Sequence, residues 1–507
     1  MSSSTRRGVI LGSGFVLTGI GARALAQSRR RLAAGDVSAS QVDLGSASDA
    51  VKRLYAGQNA PLWTDRNAAA LAEGLERASA HGLDPQPYLA LIEGSTSVGD
   101  RDLNLSRTAL AYSKALAIGL VDPSKIFSNY TIARDAPDLV VGLRSALADQ
   151  RVTAWLAGLT PQDSLYAALS AAYLEMAGRS SASDLPPVPP GPSIRVGDRD
   201  GRRAAVLAAL AGASAPNAVV QPQSNIWTQA DADLLKTYQR SRGLAEDGVV
   251  GPNTLALLNA SSRDKARRLA VNLERLRWLQ REPPPTRIDV NTAASMLSYI
   301  VNGEVAWTSI VVPGRPGHET PQLQASFERL VVNPPWYVPA SIARREITPK
   351  GPGYLARNHM RRVSGRIIQS PGPWAALGQV KFDMQNRYAI YLHDTPSKSV
   401  FSRSQRHLSH GCIRVQHAVE FGRRLATSSG NGDRFDSILK SGRTGVVPLR
   451  APIPVRLIYL TALFGDDGAV TFRPDIYGWD VRTASAMGLT APAREGVEAV
   501  TAAPLGP

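Results

Sequence analysis

Tyr391-Leu392-His393-Asp394-Thr395-Pro396, a polar loop that includes His407, and Ser409-His410-Gly411-Cys412-Ile413-Arg414-Val415 together hold the chain's one cysteine and three of its seven histidines. A solitary cysteine has no internal disulfide partner, so burial or chemistry must explain it. Tyr388 to His393 is aromatic and β-branched and reads as a strand that Asp394-Thr395-Pro396 ends. Gly411 permits a tight backbone approach before Cys412 and a second apolar segment. A strand-borne imidazole can then meet a thiol across the loop and take its proton, leaving the nucleophilic thiolate.

His393, the intervening residues 394–408, and then Ser409, His410, Gly411, Cys412 and Arg414 resemble the signature of the L,D-transpeptidases of bacterial cell walls. The resemblance is to the large multidomain branch found in Gram-negative bacteria. It implies Cys412 as nucleophile and His393 as base. Gly411, Tyr391, His410 and Ser409 are expected to shape the turn and the oxyanion site, with His410 orienting the Ser409–Cys412 turn. Arg414, Trp336 and Tyr337 are expected at the substrate, Arg414 on a stem carboxylate. No cofactor and no metal are expected. A zinc site built from His393, His407, His410 and Cys412 is the competing reading, but no His-Glu-x-x-His or Cys-x-x-Cys spacing supports it.

The remaining composition is compatible with this. The 507 residues suggest two to four domains, and 43% hydrophobic with 20% charged residues describes a core-forming chain. Lys and Arg number 58 against 42 Asp and Glu, for a net +16. The excess is scattered and no nucleic-acid-binding motif accompanies it, so an anionic polymer is the expected partner. Here that means peptidoglycan stem peptides and glycan.

Residues 1–26 read as a twin-arginine-like export signal: Arg6-Arg7, a glycine-diluted apolar run from Val9 to Ile20, then Ala24-Leu25-Ala26. The run falls short of the roughly 20 apolar residues of a membrane span. No permanent span after cleavage and a periplasmic location are therefore expected.

The expected architecture is multidomain α and β. A helical scaffold covers 46–180, with stripes at Ala69-Leu71-Gly74-Leu75-Ala78 and at Leu105, Leu110, Leu116 and Leu120. A Pro-rich linker covers 181–193. A small helical unit over 194–260 carries Tyr238-Gln239, Gly243-Leu244 and Asp247 to Thr254, resembling a peptidoglycan-binding domain; Thr228 and Asp231 form its capping box. An amphipathic helix over 263–280 leads back to the scaffold, making that unit an insertion. From 286 to 481 the apolar period switches to two, and Asn302-Gly303 between Met296–Val301 and Val305–Val312 signals a hairpin. Further strands are expected at 329–332, 389–393, 456–460 and 469–472. The Pro-, Gly- and Trp-rich stretch over 333–378 is too long for an idle loop, and in the large transpeptidases the matching stretch is a lid. Residues 482–507 read as a tail.

The function expected is stem cross-linking through a cysteine thioester. Water as acceptor would make the enzyme a carboxypeptidase, a lipoprotein amine an anchoring enzyme, and an inactive site a wall-binding protein. Carbapenems acylate enzymes of this family.

Overall fold

The structure, a computed structural model, describes residues 26–27 and 41–489, apart from 58, 180–184, 215–223, 243, 245, 404 and 466–467. The signal read over 1–26 and the tail beyond 489 lie outside the described residues, Ala26 excepted. The chain divides into two compact units, Met1–Leu120 with Ala136–Gln162, and Val121–Asp135 with Asp163–Pro507.

The first unit is helical. Its helices include Asp65–Glu76 and the long Val98–Ile118, both N-capped by a hydroxyl, from Thr64 and Ser97. Leu71, Leu75 and Ala78 are buried as the spacing predicts, but Ala68 and Ala72 take the inward place expected for Ala69. Gly119 ends the long helix, so Leu120 leaves the stripe and is exposed. Buried Asp102 accepts from the Tyr55 hydroxyl at 2.6 Å and from the Trp63 amide at 2.8 Å, tying three segments together.

The helical region expected as one scaffold over 46–180 is split. Helix Ser164–Gly178 belongs to the second unit, where it packs on Ser262–Arg277. Between these two helices lies the unit at 194–260, with its own core of Ile194, Val206, Leu210, Trp227, Leu235 and Val250. Thr228 and Asp231 cap each other reciprocally at 2.7 and 3.2 Å. The motif residues are spent on structure: Gln239 donates to Asp247 and accepts from the Gly248 amide. Residues 185–193 are no free spacer, because buried Val188 exchanges two hydrogen bonds with Asn259.

Strands from Arg287 onward form a closed barrel. Its strands are β1 (Arg287–Asn291), β2 (Met296–Val301), β3 (Glu304–Val312), β4 (Leu323–Val332), β8 (Val380–Met384), β9 (Leu392–His393), β10 (Ile413–Val415) and β11 (Gly445–Ile458). Their order is β1-β11-β4-β8-β9-β10-β3-β2. Asn302 and Gly303 both have positive φ, the conformation of a two-residue hairpin turn between β2 and β3. β11 slips register against β4 between Pro448 and Ile453, where prolines 448 and 452 have no N–H to give the ladder. Phe421, Leu425 and Phe435 from two following helices fill the core.

The stretch 333–378 is an ordered subdomain and not a bare loop. β5 (Trp336–Tyr337), β6 (Met360–Val363) and β7 (Arg366–Gln369) form a sheet in the order β5-β7-β6. It has its own core of Trp336, Val338, Ile347, Met360, Ile367 and Leu377. β12 (Ala462–Phe464) and β13 (Val470–Phe472) make a separate hairpin. Helix Trp479–Ala486 buries Thr483 and Ala484 and pairs Asp480 with Arg275 at 2.5 Å, so the tail read from 482 begins later.

Arg277 and Glu274 pair at 2.6 Å with both side chains fully buried, and Glu274 also accepts from the Trp278 indole. Arg277→Met strands that carboxylate and is expected to cost about 3–5 kcal/mol, read by urea denaturation. Replacing both partners with apolar residues should recover most of the loss. A neutral single variant would contradict the pair's structural role.

Candidate active site

Parallel pairing of β10 on β9 sets Ile413 against Leu392 and Arg414 against His393. Strand alternation therefore sends Leu392, Ile413 and Val415 into the core, where all are fully buried. The same alternation leaves Tyr391, His393, Cys412 and Arg414 on the opposite face. β8 places Lys381 beside His393 there. Four expected site residues thus share one surface because of a two-residue register.

His393 Nδ1 lies 2.5 Å from the carbonyl oxygen of Asp394. A carbonyl only accepts, so Nδ1 carries the proton and Nε2 keeps its lone pair. Burial, reinforced by nearby Arg414 and Lys381 and opposed by the Asp394 carbonyl, lowers the imidazole to a pKa of about 3. It is neutral at physiological pH. The Asp394 carboxylate is buried, accepts from the Gln379 amide at 3.0 Å and pairs with Lys398, which fixes that carbonyl.

The turn carrying the thiol is held from two sides. Gly411 has φ +113°, a conformation that disfavours any side chain. Ser409 Oγ donates to the Cys412 carbonyl and accepts from the Gly411 amide at 3.1 Å. Thr320 Oγ1 donates to the Gly411 carbonyl at 2.8 Å. Ser409 therefore does the orienting expected of His410. The Gly411 N–H is thus spent on Ser409.

His410 points elsewhere. Its Nε2 lies 2.6 Å from Glu346 of the 333–378 subdomain, and its ring contacts His318 at 5.1 Å. His407 Nε2 contacts the Thr292 carbonyl at 2.8 Å and is buried. The histidines of the motif thus face three different partners. Among the described residues no group of three His, Cys, Asp or Glu is placed to hold a metal ion.

Cys412 keeps solvent access, and its Sγ lies 3.8 Å from the Ala389 carbonyl. Surrounding protein crowds the sulfur and pushes the thiol's pKa up. The Tyr391 amide and hydroxyl, then Lys381 and Arg414, pull it back. Access governs whether a substrate reaches the sulfur, and crowding governs how readily it ionises, so both descriptions hold. No hydrogen bond joins Cys412 to His393 among the described residues; the register puts Arg414, two residues past Cys412, opposite His393.

Tyr391 packs against the small core that holds buried Trp336, which ties the 333–378 subdomain to the thiol's neighbour. Tyr337, on the alternate face of β5, is exposed and turned away from Trp336. Burial lowers the pKa of Arg414, the Cys412 thiolate opposes that fall, and no carboxylate pairs with the guanidinium among the described residues.

Sequence reading missed Lys381 and Glu346. Lys381 pairs with Asp383 at 2.7 Å and stands 4.5 Å above the Tyr391 ring. The alternation Val380-Lys381-Phe382-Asp383-Met384 carried the signal for a strand presenting Lys381. Nothing local marks Glu346, which meets His410 only through the lid's fold.

Residues 285–433 match the family model for the L,D-transpeptidase catalytic domain, and residues 49–173 match the Scaffold domain. A Haemophilus influenzae protein whose L,D-transpeptidase name is itself an assignment is 32% identical over 238 residues, 42% of this chain and 48% of that one. The chain thus spans about half the length of that curated relative. An L,D-transpeptidase from Stackebrandtia nassauensis is similar over 54% of this chain and 97% of its own, at 11% identity and TM-score 0.22. One from Mycobacterium smegmatis covers 34% and 58%, at 16% identity and TM-score 0.19. The chain resembles the L,D-transpeptidase family through both matched domains.

Burial holds His393 and His407 neutral, with pKa values of about 3 and about 4 against 6.5. Between pH 6.5 and 5 the unfolded chain takes up protons that the folded chain refuses, so these histidines cost stability as pH falls. Asp475, raised to about 6 by burial beside Asp480, works the other way. The informative quantity is therefore the difference between wild type and His407→Gln in melting experiments. The wild type should lose up to about 2 kcal/mol more than the variant across this window. Parallel pH profiles would contradict a buried neutral His407.

Proposed function

We propose that this chain, which carries the catalytic domain of the L,D-transpeptidases together with a scaffold domain, is an exported, periplasmic enzyme that cross-links peptidoglycan stems through a Cys412 thioester. The observation that carries the reading is the neutral His393, with Nε2 unprotonated, on the same sheet face as Cys412.

At rest both partners are uncharged. The Cys412 proton passes to His393 Nε2 as Sγ attacks the donor-stem carbonyl carbon. The oxyanion draws on the Cys412 N–H and the Tyr391 hydroxyl, whose ring packs against the core of the 333–378 subdomain. Lys381 and Arg414 add positive charge beside the sulfur. Collapse expels the amine of the terminal D-residue, which takes the proton from His393 and leaves the acyl thioester. An acceptor-stem amine then attacks the thioester, its proton goes to His393, and an amide forms as the thiol is restored. Water as acceptor gives hydrolysis and a shortened stem; a lipoprotein amine gives an anchored product.

Arg414 suits a stem carboxylate, since it brings a planar pair of donors and has no acid of its own. Ser409 and Gly411 set the turn, and His410 holds the lid through Glu346. Of the two lid aromatics expected at the substrate, Trp336 acts through Tyr391, and Tyr337 meets only a substrate that extends over the outer face. The unit at 194–260 serves as a tether on the wall.

The test is product analysis by mass spectrometry after incubation with purified muropeptides. Cys412→Ala should form no cross-link. His393→Ala should be slower by on the order of 10²-fold or more at neutral pH. Its rate should climb toward and beyond a pH of about 8.5, the ordinary range of a free thiol. His410→Ala should be milder. Cross-linking by Cys412→Ala would refute the reading, and an inactive His410→Ala beside a normal His393→Ala would move the base to His410.

A further inference from the structure

Three guanidinium groups gather where the 194–260 unit meets the catalytic region. Arg473, at the end of β13, donates through Nη1 to the Ser241 carbonyl at 2.8 Å, next to Arg242. Arg242, the last residue of helix Gln229–Arg242, stands 5.5 Å from the Tyr238 ring centre. Arg406 comes from the loop between His393 and Cys412. Its Nη1 donates to the Arg403 carbonyl at 2.9 Å, and its Nε is buried with no hydrogen-bond partner.

The cluster is short of negative charge. Glu246 is the acid acting on Arg406, and Arg240 already holds it at 2.8 Å. Asp480 is taken by Arg275 and Arg268. Among the described residues no ion pair neutralises Arg242, Arg406 or Arg473. Burial lowers the pKa of Arg473, and Arg242 and Arg406 lower it further by repulsion. Like charges drawn together and partly stripped of water cost stability unless an anion joins them. Planar guanidiniums suit carboxylates, which they grip two donors at a time.

We propose that Arg242, Arg406 and Arg473 form a carboxylate-binding site, separate from Arg414, that seats a stem peptide of the wall polymer between the 194–260 unit and the catalytic loop. Each of three segments contributes one arginine, so a bound strand would tie the tether to the loop that carries the nucleophile. The identity of the anion rests on the wall-enzyme reading, while the presence of an anion site does not.

The test uses full-length protein with Cys412→Ala as parent, so that binding is read without turnover. Co-sedimentation is measured with purified sacculi, native or with their carboxylates amidated by carbodiimide. Added Arg406→Gln and Arg473→Gln changes should weaken binding to native sacculi by about tenfold or more, a loss of roughly 1.4 kcal/mol or more. Amidation should weaken the parent to the same level and leave the double variant unchanged. Removing mutual repulsion should keep the melting midpoint of the double variant at or above the parent's. Equal binding by parent and variant, indifference of the parent to amidation, or a large fall in the midpoint would each overturn the proposal. If the binding pattern holds while wild-type protein cross-links no muropeptide, the proposed function fails and the anion site stands.

Discussion

The hydrogen bond from His393 Nδ1 to the Asp394 carbonyl is the constraint on which the site depends. It fixes the tautomer, so it decides which ring nitrogen can accept a proton. It works only because β9 is a buried strand whose partner β10 arrives in parallel, one residue past Cys412. Parallel neighbours cannot be joined by a tight turn. The connecting residues 394–412 must travel, and on the way they supply Lys398 to Asp394, Arg406 to the arginine cluster, His407 to Thr292 and Ser409 to the thiol's turn. One strand pairing thus accounts for the nucleophile's position and for the long loop preceding it.

The electrostatics of the face follow from the same arrangement. Crowding favours neutral forms of both Cys412 and His393, while Lys381 and Arg414 favour a thiolate. A neutral resting pair with cations beside it is arranged to stabilise charge as it develops on sulfur, and carries no permanent ion pair that would have to be broken. Tyr391 is the hinge of this arrangement, packed against both the barrel core and the lid core.

What was legible in the sequence was what local chemistry encodes. Asn302-Gly303 forced a hairpin because both residues tolerate positive φ. His393 and Cys412 were expected to meet across the loop because a strand-borne imidazole and a thiol after glycine stood in a motif that resembles a known family's. Contacts made through tertiary folding were not legible. His410 was assigned to its own turn, but its partner Glu346 arrives only when the lid folds into a subdomain. The lid's composition of Pro, Gly and Trp gives no periodicity, so its short strands and small core stayed hidden. The packing of helix Ser164–Gly178 on Ser262–Arg277, far along the chain, was legible only as an amphipathic helix leading back toward the scaffold. Thr483 and Ala484 look like a small polar tail until burial against the preceding elements is seen.

The central claim is that a neutral imidazole, protonated on Nδ1 alone, stands ready beside a protonated thiol. Nitrogen NMR of protein labelled in its histidines, with His393 assigned by comparison with His393→Ala, reads this directly. The account predicts a His393 signal of the neutral Nδ1–H tautomer, unchanged from pH 8 down to pH 5. A signal that titrates in that range, or one showing the proton on Nε2, would contradict it.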